Sequence, residues 1–215
     1  DAFLTCGQNQ VDVARKIETL RPKANRKDIQ IAGCTYLDAA KEYIKKLDVI
    51  EHKKEDPVVL LAPSWGKNAI LSRYGEKLID SLIATGFKII IRPHPQSFTA
   101  EKDLMNRLIQ KYNNLEWNRD NDNLKVLNRA DIMITDFSGI IFDWSLLFDK
   151  PCIVAENDLD TSVMDAAWLD EKPWILNAVE RLGLSLKESD FNNMKQVISD
   201  ALSSNELSAE REKVK

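Results

Sequence analysis

Short apolar runs rich in β-branched residues alternate along this chain with longer charged segments. The runs lie at residues 2–6, 29–34, 58–62, 87–92, 132–135 and 152–155. They are largely continuous rather than alternating apolar and polar. This predicts strands covered on both faces, as in a parallel sheet. The intervening segments at 11–20, 37–47, 68–85, 101–112, 123–130, 139–148 and 191–202 read as helices. In the third of these, Ile70, Leu71, Leu78, Ile79 and Leu82 recur at three- and four-residue steps, which puts them on one face of a helix. Gly86 stands just past it, where a helix end favours glycine. Strand–helix alternation of this kind predicts an α/β fold: a doubly wound, mostly parallel, Rossmann-like sheet.

Length and charge divide the chain. Its 215 residues amount to about 1.4 domains at ~150 residues each. Residues 1–56 read as a leading strand–helix segment with a charged connector, which holds His52 as a surface histidine. Residues 57–202 read as the main domain, and residues 203–215 as a polar C-terminal tail. The chain starts at Asp1, directly on a strand-like run, and is expected to be a piece of a longer protein.

Composition removes several function classes. The 30 basic and 34 acidic residues give a net charge of −4, against the cationic surface that broad nucleic-acid binding needs. No apolar run reaches the ~18 residues of a membrane span. The 7 glycines never stand as G-x-G, so the dinucleotide fingerprint and the Walker loop are both absent. His52 and His94 are too far apart in sequence for an H-E-x-x-H zinc site. Cys6, Cys34 and Cys152 match neither a disulfide framework nor a C-x-x-C site and read as buried, reduced cysteines of a cytosolic protein. No metal and no cofactor is expected.

In an open α/β sheet, ligands bind beyond the carboxyl ends of the strands. After the third run comes Pro63-Ser64-Trp65-Gly66-Lys67. Ser64 and Lys67 can meet a phosphate there, although the segment also fits an ordinary turn with a surface lysine. After the fourth comes Arg92-Pro93-His94-Pro95. The prolines stiffen the backbone and present His94, beside Arg92, as a hydrogen-bond donor to a phosphate oxygen or as an acid. After the fifth comes Asp136-Phe137-Ser138-Gly139 and an apolar helix. Thr135 and Ser138 offer hydroxyls, and Gly139 opens the first helical amide to an anion; Ser138 is of a preferred N-cap type, so plain capping by Asp136 or Ser138 fits as well. Asp143 can accept from ribose hydroxyls, or else be a plain surface charge. In the loop at Trp117-Asn118-Arg119-Asp120, an aromatic ring or Arg119 can stack on a base, although Trp117 also fits the core. Trp144, Trp168 and Trp174 read as packing residues.

Two of these stretches carry a family resemblance. Ile89-Ile90-Ile91-Arg92-Pro93-His94-Pro95 and the run from Ala130 to Asp143 resemble the donor-binding half of the CDP-glycerol glycerophosphotransferase family, the teichoic-acid and capsule polymer enzymes. Leu61-Ala62-Pro63-Ser64-Trp65 resembles its A-P-T-W element. Gly33 to Asp38 resembles its G-x-P-R-x-D element, and Lys150-Pro151 its K-P. The resemblance runs over about residues 1–157. It implies the C-terminal half of a GT-B fold and transfer of glycerol phosphate from a CDP-activated polyol to a polymer hydroxyl, releasing CMP. It implies that Ser138 and Gly139 hold the donor diphosphate, that His94 and Arg92 meet the transferring phosphate, and that Asp143 lies near the ribose. It further implies a cytoplasmic enzyme, peripheral at the inner face of the bacterial plasma membrane, whose polymer acceptor is taken by an N-terminal domain outside this chain. Gly139 replaces a second serine, Thr35-Tyr36 replace Pro-Arg, and Gly66-Lys67 stand where an arginine is common. The family's W-H-G-T motif is absent from these residues.

Two further readings compete. One is a nucleotide-sugar glycosyltransferase, or a relative of UDP-N-acetylglucosamine 2-epimerase, which carries a comparable T-D-S-G-G element after a strand. The other is a non-catalytic α/β interaction module.

Overall fold

A computed structural model describes residues 2–23, 25–48, 50, 56–157 and 174–214. Trp168, His52 and part of the charged connector lie outside the described residues. The described residues form two compact units, one chiefly residues 2–46 and the other residues 56–157 and 175–214.

The small unit runs β1 (Ala2–Thr5), α1 (Gln8–Leu20), β2 (Asp28–Ile31) and α2 (Thr35–Ile44). β1 and β2 pair in parallel, with Thr5 opposite Ile31. Both strands were expected to be covered on both faces, and they are not. Phe3, Leu4 and Ile31 are each at least half exposed. Two strands carried by their own helices are too narrow a sheet to be sandwiched.

The large unit opens with β3 (Val58–Leu61), α3 (Ile70–Ile83), β4 (Lys88–Ile91), α4 (Ser97–Ala100), α5 (Lys102–Lys111), β5 (Glu116–Trp117) and α6 (Asn123–Asn128). It continues with β6 (Ile132–Thr135), α7 (Ile140–Asp143), β7 (Cys152–Ala155), α8 (Trp174–Leu182), β8 (Leu184–Leu186), α9 (Met194–Ser203) and α10 (Asn205–Val214). Its six strands are all parallel, in the order β5-β4-β3-β6-β7-β8. The chain first builds outward from β3 through β4 to β5. It then returns and builds the other way from β6. That reversal opens a crevice beyond the carboxyl ends of β3 and β6.

β3, β6 and β7 are buried at every position, as continuous apolar runs in a two-sided sheet must be. Each fully buried Leu or Ile there contributes about 1.5–3 kcal/mol. The α3 stripe is the one its spacing predicts, with Ile70, Leu71, Leu78, Ile79 and Leu82 all inside. Gly86 takes φ +76° just past that helix, a left-handed turn that glycine adopts without strain.

The helix expected over 139–148 is two pieces. α7 passes directly into a π-helical turn at Trp144–Phe148. Trp144 is fully buried there and its indole N–H donates to the Pro151 carbonyl at 2.9 Å. Trp174, expected to pack, is 50% exposed. Residues 205–214, expected to be a polar tail, form α10. Leu207 and Arg211 of that helix are buried, and Arg211 Nε donates to Asp149 at 2.8 Å. Lys150 also ties elements together. Its ammonium donates to the Asn128 and Ala130 carbonyls, at 3.1 and 2.6 Å, and so closes the end of α6.

Candidate functional site

Three loops meet at the crevice. Arg92-Pro93-His94-Pro95 leaves β4, the loop at 118–123 leaves β5, and Ser138-Gly139 leaves β6. With Ala62 and Pro63 at the end of β3, they line one cavity of about 590 Å³, within the ~300–1,000 Å³ typical of small-molecule sites.

His94 is half buried on this wall. Its Nδ1 accepts the Gln96 N–H at 3.2 Å. In the neutral ring that puts the proton on Nε2, which becomes the donor. Burial pushes its pKa below the ordinary histidine value. The indole of Trp65, 44% exposed, stacks on the imidazole. In the sequence, Trp65 stands out only as part of a motif. A ring stacked beside His94 is a contact that only the tertiary structure reveals.

Ser138 and Gly139 lie at the start of α7. Gly139 is the helix N-cap and no side chain caps it, contrary to the N-cap role that Ser138's residue type suggests. Both line the cavity, as do Ile140 and Asp143. Asp136, one turn earlier, has a different task. It is 1% exposed and its two carboxylate oxygens accept the N–H groups of Ser64 and Ile70, each at 2.9 Å. It therefore clamps the β3–α3 loop to the β6–α7 loop. Burial raises its pKa to about 6, against the opposing pull of those amides and that of Ser138.

The expected site residues divide. His94, Arg92, Ser138, Gly139, Asp143 and Arg119 come together on the cavity wall; Ser64, Lys67 and Thr135 are not on it. Thr135 is fully buried and its hydroxyl donates to the Ala62 carbonyl at 2.7 Å. It links β6 to the end of β3 instead of meeting a phosphate, because burial leaves its hydroxyl that carbonyl as acceptor. Lys67 is an exposed side chain of the turn, and Ser64 joins through its backbone. Arg92 reaches the cavity, but its guanidinium donates to Asn118 Oδ1, the Asp120 carbonyl and Asn123 Oδ1. Trp117 takes its core alternative. It packs on the apolar cluster and its ring N–H donates to the Tyr112 carbonyl at 3.0 Å. Arg119 lies over the Phe98 ring, 4.2 Å from its centre. Phe98, Asn118, Asn121 and Asn123 complete that wall. Of these, the asparagine-rich run was the visible signal in the sequence.

Among the described residues, no group of three or more His, Cys, Asp or Glu side chains is placed to hold a metal. No helix there is long and apolar enough to cross a membrane. Of the three cysteines expected to be buried, only Cys152 is; Cys6 is exposed and Cys34 half-buried, both beside the narrow two-stranded sheet. Burial raises the Cys152 thiol pKa well above its usual range.

A protein-family model described as CDP-glycerol:poly(glycerophosphate) glycerophosphotransferase matches residues 34–163. The match takes in the cavity-lining motifs and starts later than the resemblance, which reached back to the first strand. No curated protein matches the chain by sequence. Among solved structures, the wall teichoic acid polymerase TagF aligns over 99% of this chain and 52% of its own, at 16% identity and a TM-score of 0.51. A histidine-to-alanine variant of TagF aligns over 99% of this chain and 53% of its own, also at 16% and 0.51. A glycosyltransferase from Rickettsia africae ESF-5 aligns over 99% and 57% at 12% identity, with a TM-score of 0.48. The chain thus spans about half the length of the polymerase. The likeness shows the fold, that of a Rossmann-like half of a GT-B glycosyltransferase.

Proposed function

This chain belongs to the CDP-glycerol:poly(glycerophosphate) glycerophosphotransferase family, and we propose that it binds a CDP-activated polyol, CDP-glycerol first, as the donor for polymer synthesis. One observation carries this reading. The His94 loop and the Ser138-Gly139 loop leave strands on either side of β3 and meet on one cavity at the point where strand order reverses.

The chemistry is a phosphoryl transfer. An acceptor hydroxyl oxygen bonds to the glycerol-bearing phosphorus and releases its proton to water. The P–O bond to CMP breaks, and CMP leaves with the electron pair. Negative charge grows on the bridging oxygen. Donors fixed in advance lower the cost of that charge. The Nε2–H of His94, the Ser138 hydroxyl and the amides at the start of α7 are such donors. Asp143 accepts from the ribose hydroxyls. Recognition of the polymer acceptor belongs, on this proposal, to the half of the polymerase's length that this chain does not span. The chain alone then binds donor without turning it over.

Calorimetric titration with CDP-glycerol, CDP-ribitol and UDP-sugars tests this. CDP-glycerol binds, and a Ser138→Ala, His94→Ala double variant loses that binding. Absence of binding to all three overturns the proposal, and preference for the UDP-sugars moves the chain to the nucleotide-sugar glycosyltransferases.

A further inference from the structure

Arg92 is 9% exposed and sits where β4 ends. Its backbone N–H still pairs with β3, donating to the Leu61 carbonyl at 2.8 Å. Its guanidinium turns the other way, into the loop that follows β5. There it meets three acceptors within six residues: Asn118 Oδ1, the Asp120 carbonyl and Asn123 Oδ1. A guanidinium only donates. It therefore dictates which way both asparagine amides face, with oxygens toward Arg92 and NH₂ groups away from it. The NH₂ of Asn118 continues the chain of contacts, donating to Asp120 Oδ2 at 3.0 Å. Asp122 fastens the far end by accepting the Leu124 N–H at 2.9 Å. Asp120, Asn121 and Asn123 all line the cavity.

We propose that Arg92 is a positioning residue for nucleoside recognition, fixing the 118–123 loop so that Asp120 selects cytosine over uracil. This rests on the donor-binding reading above and departs from the expectation that Arg92 holds the donor phosphate. The selection follows from base-edge chemistry. Cytosine presents an exocyclic amino group, which a carboxylate accepts. Uracil presents a carbonyl oxygen at the same place, which a carboxylate repels. The guanidinium of Arg119, held over the Phe98 ring, is a planar group on which either pyrimidine can stack. Asp120 therefore carries the discrimination, and Arg92 carries the geometry that makes Asp120 discriminate.

The test compares CMP with UMP by calorimetry in the wild type, Arg92→Met, Arg92→Lys, Asn123→Ala and Asp120→Asn. It pairs this with amide hydrogen exchange over residues 118–123. The wild type prefers CMP by at least tenfold. Asp120→Asn removes most of that preference while leaving exchange unchanged. Arg92→Met and Asn123→Ala each lower it at least fivefold, and exchange in the loop rises. Arg92→Lys keeps part of both. The Arg92→Met, Asn123→Ala double variant is no worse than Arg92→Met alone, because both break the same tether. If Arg92→Met weakens CMP and UMP equally with unchanged loop exchange, Arg92 contacts phosphate directly and the inference falls alone. Equal wild-type affinity for the two nucleotides also overturns it. No binding of either nucleotide by the wild type removes the donor reading itself, and this inference with it.

Discussion

The imidazole of His94 lies against the indole of Trp65, with ring centres 6.2 Å apart and planes 25° from parallel. Burial is the cause that lowers the His94 pKa, and the indole is part of what buries it. The folded chain therefore favours the neutral ring. Above the ordinary histidine value the group has no effect on stability. As pH falls below that value the unfolded chain takes the proton first, so His94 subtracts stability on the acid side. An NMR titration gives His94 a pKa under 6.5, and Trp65→Ala returns it toward 6.5. A bound nucleoside diphosphate raises it, since an anion favours the imidazolium. A wild-type value of 6.5 or more contradicts this assignment.

Asp136 should show the opposite pH behaviour. Its folded pKa is raised to about 6, above its unfolded value of ~3.9. Between those two values the folded chain holds the extra proton, so this group adds stability as pH falls from 6 toward 4 and withholds it above 6. Asp136→Asn removes that trend, which appears as the difference between the two denaturation curves measured against pH. Asp136→Ala strands the Ser64 and Ile70 amides and costs about 2 kcal/mol near neutral pH. Identical pH slopes for the wild type and Asp136→Asn would show that the carboxyl is already ionised throughout.

How far the sequence exposes this architecture depends on what each residue touches. β3, β6 and β7 are visible because burial on both faces forces a continuous apolar run. The edge strands are not. β5 has two residues, one of them Glu116, and β8 reads Leu-Ser-Leu with Ser185 exposed. His94 and Ser138 are legible as site residues because a backbone feature, proline or a helix start, fixes where they stand. Thr135 and Arg92 have the right chemistry for a phosphate, but their direction is set elsewhere. The Ala62 carbonyl, far off in sequence, takes up the Thr135 hydroxyl, and asparagines 26 and 31 residues downstream take up Arg92. No local pattern encodes such a distant partner.

Gly183, just before β8, lies close against β7. A Cβ there would lie 2.4 Å from Val154 Cγ2, 3.0 Å from Cys152 Sγ and 3.2 Å from the Cys152 carbonyl. Val154 is β-branched and stiff, and the other two atoms belong to a buried strand. Gly183→Ala therefore pushes β8 off β7 and destabilises the chain by about 1–3 kcal/mol, read as a lower midpoint in urea. Nucleotide affinity, measured well below that midpoint, stays within twofold, because β7 and β8 contribute no residue to the cavity wall. An unchanged midpoint would mean that the contact relaxes freely.

Gly139 is the reverse case and bears directly on the donor. A Cβ at this position meets nothing within 4 Å, and the backbone, at φ −63° and ψ −14°, suits any residue. Gly139→Ser therefore leaves the fold intact, within the ~0.5 kcal/mol of an ordinary surface change. Its new hydroxyl stands beside Ser138 at the start of α7, on the wall where the diphosphate is proposed to lie. A hydrogen bond to a charged oxygen is worth about 1.5 kcal/mol, part of which goes to ordering the side chain. CDP-glycerol should bind three- to tenfold more tightly to Gly139→Ser, whereas cytidine, which lacks phosphate, should bind as before. If cytidine gains as much as CDP-glycerol, the serine acts on the nucleoside and the diphosphate lies elsewhere. If neither gains while the melting temperature is unchanged, the start of α7 is not where the donor's charge is held.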